Sequence, residues 1–188
     1  MALMTHLKSL GRLLQDESGL AALELALVAS TLSMLMLNGV EIARFYFAKM
    51  EVQNAAQMAA QNVWKVCDTA AKSPVTRNCS GRTTAMTTGL QSTSLGSSVA
   101  LSTGYPTEAY YCASTTDGSL ISVGPVSNND GTAATKPSTC SPNGSGSDTP
   151  GDYIVIQAQY TYRPIFNAIT IGSLLPGTIT STTTMRIQ

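Results

Sequence analysis

The stretch Leu20 to Leu37 reads LAALELALVASTLSMLML, eighteen residues that carry one charge, Glu24. At about 1.5 Å per residue a helix of this length covers roughly 27 Å, close to the hydrocarbon thickness of a bilayer. Asn38, Gly39 and Val40 extend the span to residues 20–40. A buried core helix is rarely apolar all round for this length, and this run has no polar face. A secretory signal peptide has a shorter apolar core that ends at a small-x-small site. No such site follows here, and the helical pattern does not stop. The run predicts a transmembrane helix.

Moving outward, Glu41 to Val66 contains neither Gly nor Pro. Phe45, Val52, Ala56, Ala59, Val63 and Val66 are spaced 7, 4, 3, 4 and 3, which is one apolar stripe of a helix. Glu51, Asn54, Gln61, Asn62 and Lys65 fall opposite it. The expectation is one helix over residues 20–66, roughly 70 Å long. Its first half spans a membrane, and residues 41–66 form an amphipathic continuation into a head at 67–188.

Glu24 is the residue inside the apolar run that demands an explanation. A carboxylate in hydrocarbon costs on the order of 2.5–3.5 kcal/mol, so such residues usually have a partner or a function. Glu24 is also the fifth residue after Gly19, and a short polar leader with Lys8 and Arg12 precedes that glycine.

The composition excludes several classes. Lys+Arg and Asp+Glu are both 11, and a balanced chain lacks the basic stripe of a nucleic-acid binder. Charged residues make up 12% of the 188, about half the share usual in a soluble domain. One histidine, His6, leaves no His-based metal site or Ser/His/Asp triad in the head. Asp117, Asp130, Asp148 and Asp152 read as solvated loop residues without EF-hand spacing. No enzyme, cofactor or metal is expected. Cys67, Cys79, Cys112 and Cys140 form no C-x-x-C pair, and an even count suits two disulfides in an oxidising compartment. Of the three connectivities, Cys67–Cys79 with Cys112–Cys140 closes the shorter loops and is the expected one.

The head reads as β-rich. Strands are expected at Val99–Tyr105, Ala109–Ala113 and Leu120–Val123, with Asp117-Gly118 as a two-residue hairpin turn. Asn128 to Gly151 reads as a long surface loop tethered by Cys112–Cys140. Tyr153 to Arg163 and Thr178 to Ile187 alternate, and they predict the two central antiparallel strands. Ile165 to Leu175 is apolar, a short helix or a packed loop. The helix stripe from Ala56 to Val66 would lie across the sheet, with Trp64 as a packing anchor and Tyr105, Tyr110 and Tyr111 in the core. This is an α+β, pilin-like plan.

Glycine, an apolar helix and glutamate at the fifth following position together resemble a type IV prepilin. The continuation Glu41-Ile-Ala-Arg-Phe-Tyr, then Gln53-Asn54-Ala55-Ala56, narrows the resemblance to the TadE/TadG-like minor pilins of the tight-adherence pilus. Tyr160-x-Tyr162-x-Pro164 and the Thr-rich end at Met185-Arg186 extend it. Leu25 stands where that system usually has an aromatic residue. The resemblance implies a leader over residues 1–19, cut by a prepilin peptidase between Gly19 and Leu20. It implies a charge pair between Glu24 and the new N-terminal amine of a neighbouring subunit. It also implies a bacterial inner-membrane protein with a periplasmic head, a major pilin and other minor pilins as partners, and passage into a filament. Two alternatives share these features: an uncleaved membrane-anchored adhesion module, and a pseudopilin of a type II secretion system.

Overall fold

A computed structural model describes residues 17–128, 132–141, 148–166 and 170–188. Most of the expected leader, including His6, Lys8 and Arg12, therefore lies outside the described residues, as does Asp130. The chain divides into two compact units. One is the long helix up to Arg44 together with Pro164–Leu175, and the other comprises Phe45–Arg163 and Pro176–Gln188.

Helix α1, Glu17–Cys67, is continuous over 51 residues. No proline interrupts it, and alanine and leucine, both strong helix formers, dominate it. Within the first unit its apolar window has a mean hydropathy of 2.0, and none of that window is buried. Three of its polar side chains turn back onto the helix. Ser30 Oγ and Thr31 Oγ1 both donate to the Leu27 carbonyl, at 2.9 and 3.0 Å, and Asn38 Nδ2 donates to Met34 O at 2.7 Å. Hydroxyls and amides satisfied in this way need no partner in an apolar surrounding.

In the second unit the same helix presents a buried stripe of Ala48, Val52, Ala55, Ala56, Ala59, Ala60, Val63 and Cys67. The expected stripe was narrower and ran too far. Trp64 is 46% exposed and Val66 39%, so neither is a core anchor. Helix α1 ends where Cys67 bonds Cys79, with Cα atoms 5.8 Å apart. The Lys72 ammonium donates to the Val66 carbonyl at 2.5 Å, placing a cation on the unpaired end of the helix.

Two short helices follow: α2, Val75–Asn78, and α3, Arg82–Leu90. The sequence reading placed no helix here. The segment is nevertheless helical because α3 packs against α1 at very close range. A Cβ placed on Gly89 would meet the Met58 carbonyl carbon at 2.7 Å and the Ala59 backbone nearer still. Only glycine opposite alanine permits that approach.

Five antiparallel strands form the sheet: β1 Val99–Leu101, β2 Thr107–Ala113, β3 Leu120–Pro125, β4 Gly151–Thr161 and β5 Thr178–Arg186. β4 is central. One of its edges pairs with β5 along its length, from Tyr153↔Arg186 to Thr161↔Thr178. The other edge pairs first with β2, Tyr111↔Gly151 to Thr107↔Val155, and then with β1, Leu101↔Ala158 to Val99↔Tyr160. β5 is thus an edge strand, not a second central one. Ile154, Ile156 and Ala158 alternate inward along β4 and are fully buried, as the period-2 pattern requires.

The β2–β3 connection is longer than the expected two-residue turn. It runs over 114–119 and is closed by Ser114 N to Ser119 O at 2.7 Å and by Gly118 N to Ser114 O at 3.1 Å. Gly118 takes a φ of 71°, a left-handed conformation that suits glycine. Asp117 accepts the Ser119 hydroxyl and amide, and these bonds hold its carboxyl below the usual carboxylate range. Beyond β3, Cys140 bonds Cys112 across 28 residues, tethering the described part of the long loop.

The tyrosines divide. Tyr110 is buried, and burial followed by the charges of Asp152 and Glu108 pushes its hydroxyl pKa up. Tyr111 is half-buried and packs edge-on against Tyr153 with centroids 5.7 Å apart, and Tyr105 is half-buried. Asp152, expected in a solvated loop, is instead a buried residue of β4.

Candidate functional site

The chemistry-bearing residues of the first unit lie at the two ends of the apolar run. Gly19, Leu20 and Glu24 are at its start, on one uninterrupted helix. A Cβ on Gly19 would meet nothing within 4 Å. Leu20 is 69% exposed, and Glu24 is exposed as well. Among the described residues no hydrogen-bond donor or cation partners the Glu24 carboxylate. Any partner it has lies outside these residues or in another molecule.

Asn38 and Glu41 are at the far end of the run, one helical turn apart and so on one face. Glu41 is 17 residues beyond Glu24, roughly 25 Å along the axis. The two carboxylates therefore bracket a length close to the hydrocarbon thickness. They differ in environment. Glu41 is fully buried. Its Oε2 accepts the backbone amides of Ile165 and Phe166 at 3.2 and 3.3 Å, and Arg44 stands 3.6 Å from its Oε1. Asn38 Oδ1 accepts the Ile171 amide at 2.8 Å. A buried carboxylate needs donors or a counter-charge, and here it has both. The loop Pro164–Leu175 is thereby latched to the helix at two points.

The sequence reading used Glu41 only as part of a motif and gave Asn38 no role. A carboxylate immediately after a long apolar run was the available signal. Nothing in the sequence said which backbone it would hold.

A second cluster of acids sits in the other unit. Glu108 on β2 accepts the amides of Val75 and Thr76, at 2.6 and 2.7 Å, together with the Thr76 hydroxyl. It caps the first turn of α2. Asp152, on the adjacent strand and the same sheet face, accepts the Ser73 hydroxyl at 2.6 Å. Burial pushes the Asp152 carboxyl up to about 6; the Ser73 bond opposes this and the Glu108 charge reinforces it. These two acids bind the segment 73–76 to the sheet, which is structural work. No group of three or more His, Cys, Asp or Glu among the described residues could hold a metal.

Residues 19–61 match the family model described as TadE-like protein. No curated protein and no solved structure matches the chain. The match begins at the glycine that precedes the apolar run. It takes in Glu24, Asn38, Glu41 and most of the buried stripe, and it ends on α1 before the head. The C-terminal part of the resemblance, Tyr160 to Arg186, is not covered by it. From Gly19 to Gln61, then, the long helix of this chain is similar to the TadE-like family model.

Proposed function

We propose that this chain is a minor-pilin subunit of a tight-adherence pilus. A prepilin peptidase would cut it between Gly19 and Leu20, and Glu24 would then fix its register against a neighbouring helix. The observation that carries this reading is the coincidence of three features at one point. The TadE-like match starts at Gly19, the unburied apolar window starts beside it, and Glu24 lies five residues on without a described partner. A carboxylate opposite the ammonium of a newly formed N-terminus removes two desolvation costs together, whether or not the pair is net stabilising. It acts as a register device for parallel helices in lipid. Before assembly the chain would sit in a bacterial inner membrane with its head in the periplasm, where an oxidising milieu maintains the disulfides Cys67–Cys79 and Cys112–Cys140. Its partners would be the peptidase, the major pilin and other minor pilins, and its work is structural rather than catalytic.

Mass spectrometry of the chain isolated from membranes tests the processing step. A species whose first residue is Leu20 is the expected result. A population that retains every residue before Leu20 would overturn the claim and favour a permanently anchored module.

A further inference from the structure

We propose that the described residues of the loop Pro164–Leu175, 164–166 and 170–175, are membrane-seated, resting in the boundary between lipid headgroups and acyl chains beside α1. This rests on the reading of residues 20–40 as a membrane span, and it adds a second point of lipid contact about 130 residues further along the chain.

Three observations carry it. The first is position. The loop is held by Asn38 and Glu41, the residues on which the apolar run ends, so its described residues lie level with that end of the run.

The second is surface chemistry. No charged side chain occurs between Arg163 and Arg186. Ile165 is 59% exposed and Leu174 82%, the latter further open than Leu20 or Leu25 of the run itself, each 69%. Val40, on the neighbouring turn of α1, is 49% exposed. The apolar surface of the helix therefore continues onto the loop.

The third is backbone bookkeeping. A loop entering lipid must satisfy its own amides, because no water is there to do so. The Ile165 and Phe166 amides donate to Glu41, and the Ile171 amide to Asn38. The Thr170, Gly172 and Leu175 amides donate to Phe166 O, Thr170 Oγ1 and Gly172 O, and Pro164 and Pro176 have none to satisfy. Six of the eight described residues of the loop that carry an amide thus have a protein acceptor, while leucine and isoleucine turn outward. Tight closure also fixes the shape: a Cβ on Gly172 would meet Pro164 Cβ at 2.7 Å. Glu41 then has a definite task. It supplies the acceptor that lets two amides leave water.

The occupant of the exposed face is the lipid surface. The test is nitroxide labelling of the full chain, reconstituted in vesicles of phosphatidylethanolamine and phosphatidylglycerol. Single variants Leu174→Cys, Ile165→Cys, Leu27→Cys and Ser119→Cys are labelled under non-reducing conditions, so the native disulfides stay closed. Collision rates are read with oxygen, which partitions into lipid, and with a water-soluble nickel chelate. Labels at 174 and 165 are expected to favour oxygen several-fold, at a depth shallower than the label at 27, while the label at 119 favours nickel. Labels at 174 and 165 favouring nickel while 27 favours oxygen would overturn the loop proposal and leave the span intact. A label at 27 that favours nickel would overturn the span itself, and the loop proposal with it. Labels at 174 and 165 shielded from both reagents, and released when the protein is diluted into more lipid, would show that a second copy covers the loop instead, which also overturns it.

Discussion

Glu41 binds two amides and one guanidinium from a position with no access to water. Removing the carboxylate leaves two part-buried donors without that acceptor, at up to about 1–3 kcal/mol each. Glu41→Ala is therefore expected to release the loop locally. Amide hydrogen exchange at Ile165 and Phe166 would accelerate about a hundredfold or more, while the β4–β5 ladder keeps its protection. Unchanged exchange at both amides would remove the latch. Asp152 carries the pH dependence. Unfolded, its carboxyl titrates near the usual 3.8; folded, near 6. Between these values the folded state holds more protons. The contribution of Asp152 is thus full below about pH 4 and is lost as pH rises through about 6. Chemical denaturation of Asp152→Asn beside the parent chain would show a stability difference that shifts in the variant's favour from pH 4.5 to pH 7. A difference independent of pH would contradict the assignment.

At the scale of elements, the crossing of α1 and α3 is the tightest contact that the sequence concealed. Gly89→Ala must push Ala59 away, and overpacking of this kind costs about 1–3 kcal/mol. Thr88→Ala, exposed one residue earlier, is expected within about 0.5 kcal/mol of the parent. Equal effects of the two, measured by denaturant titration, would argue against the close crossing. Opening Cys112–Cys140 by Cys140→Ser frees a 28-residue span, expected to cost about 2–4 kcal/mol on loop-closure grounds. Helix α1 was legible because its periodicity is long and no proline breaks it. Strands β4 and β5 were legible because Ile154, Ile156 and Ala158, and then Ile179 and Ile187, alternate cleanly. Helix α3 was not legible. Arg82–Leu90 holds four threonines and a glycine, all poor helix formers, and only the alanine face of α1 makes that helix worth forming. Trp64 misled for the complementary reason: helical spacing puts it near the stripe, yet the buried stripe is made of alanines, valines and Cys67 and leaves Trp64 exposed beside it.

For the whole molecule, the residues at the start of the apolar run were visible at once, because a lone carboxylate in an apolar run is conspicuous. Those at its end were not, because the partners of Asn38 and Glu41 lie more than 120 residues away in sequence and are backbone amides. The TadE-like match and the unburied apolar window both fall on the N-terminal helix. The head supplies a disulfide-closed α+β body without a described metal cluster. If Glu24 sets register between subunits, its removal must spare folding and processing and impair only incorporation. The deciding measurement is therefore the amount of the chain in sheared filaments, compared between the parent and Glu24→Ala at equal membrane abundance. A tenfold or greater loss from the filament fraction, with the Leu20 terminus still produced, is the predicted result. Equal incorporation of the two would contradict the assembly role of Glu24, and absence of the parent chain from filaments would contradict the pilin reading altogether.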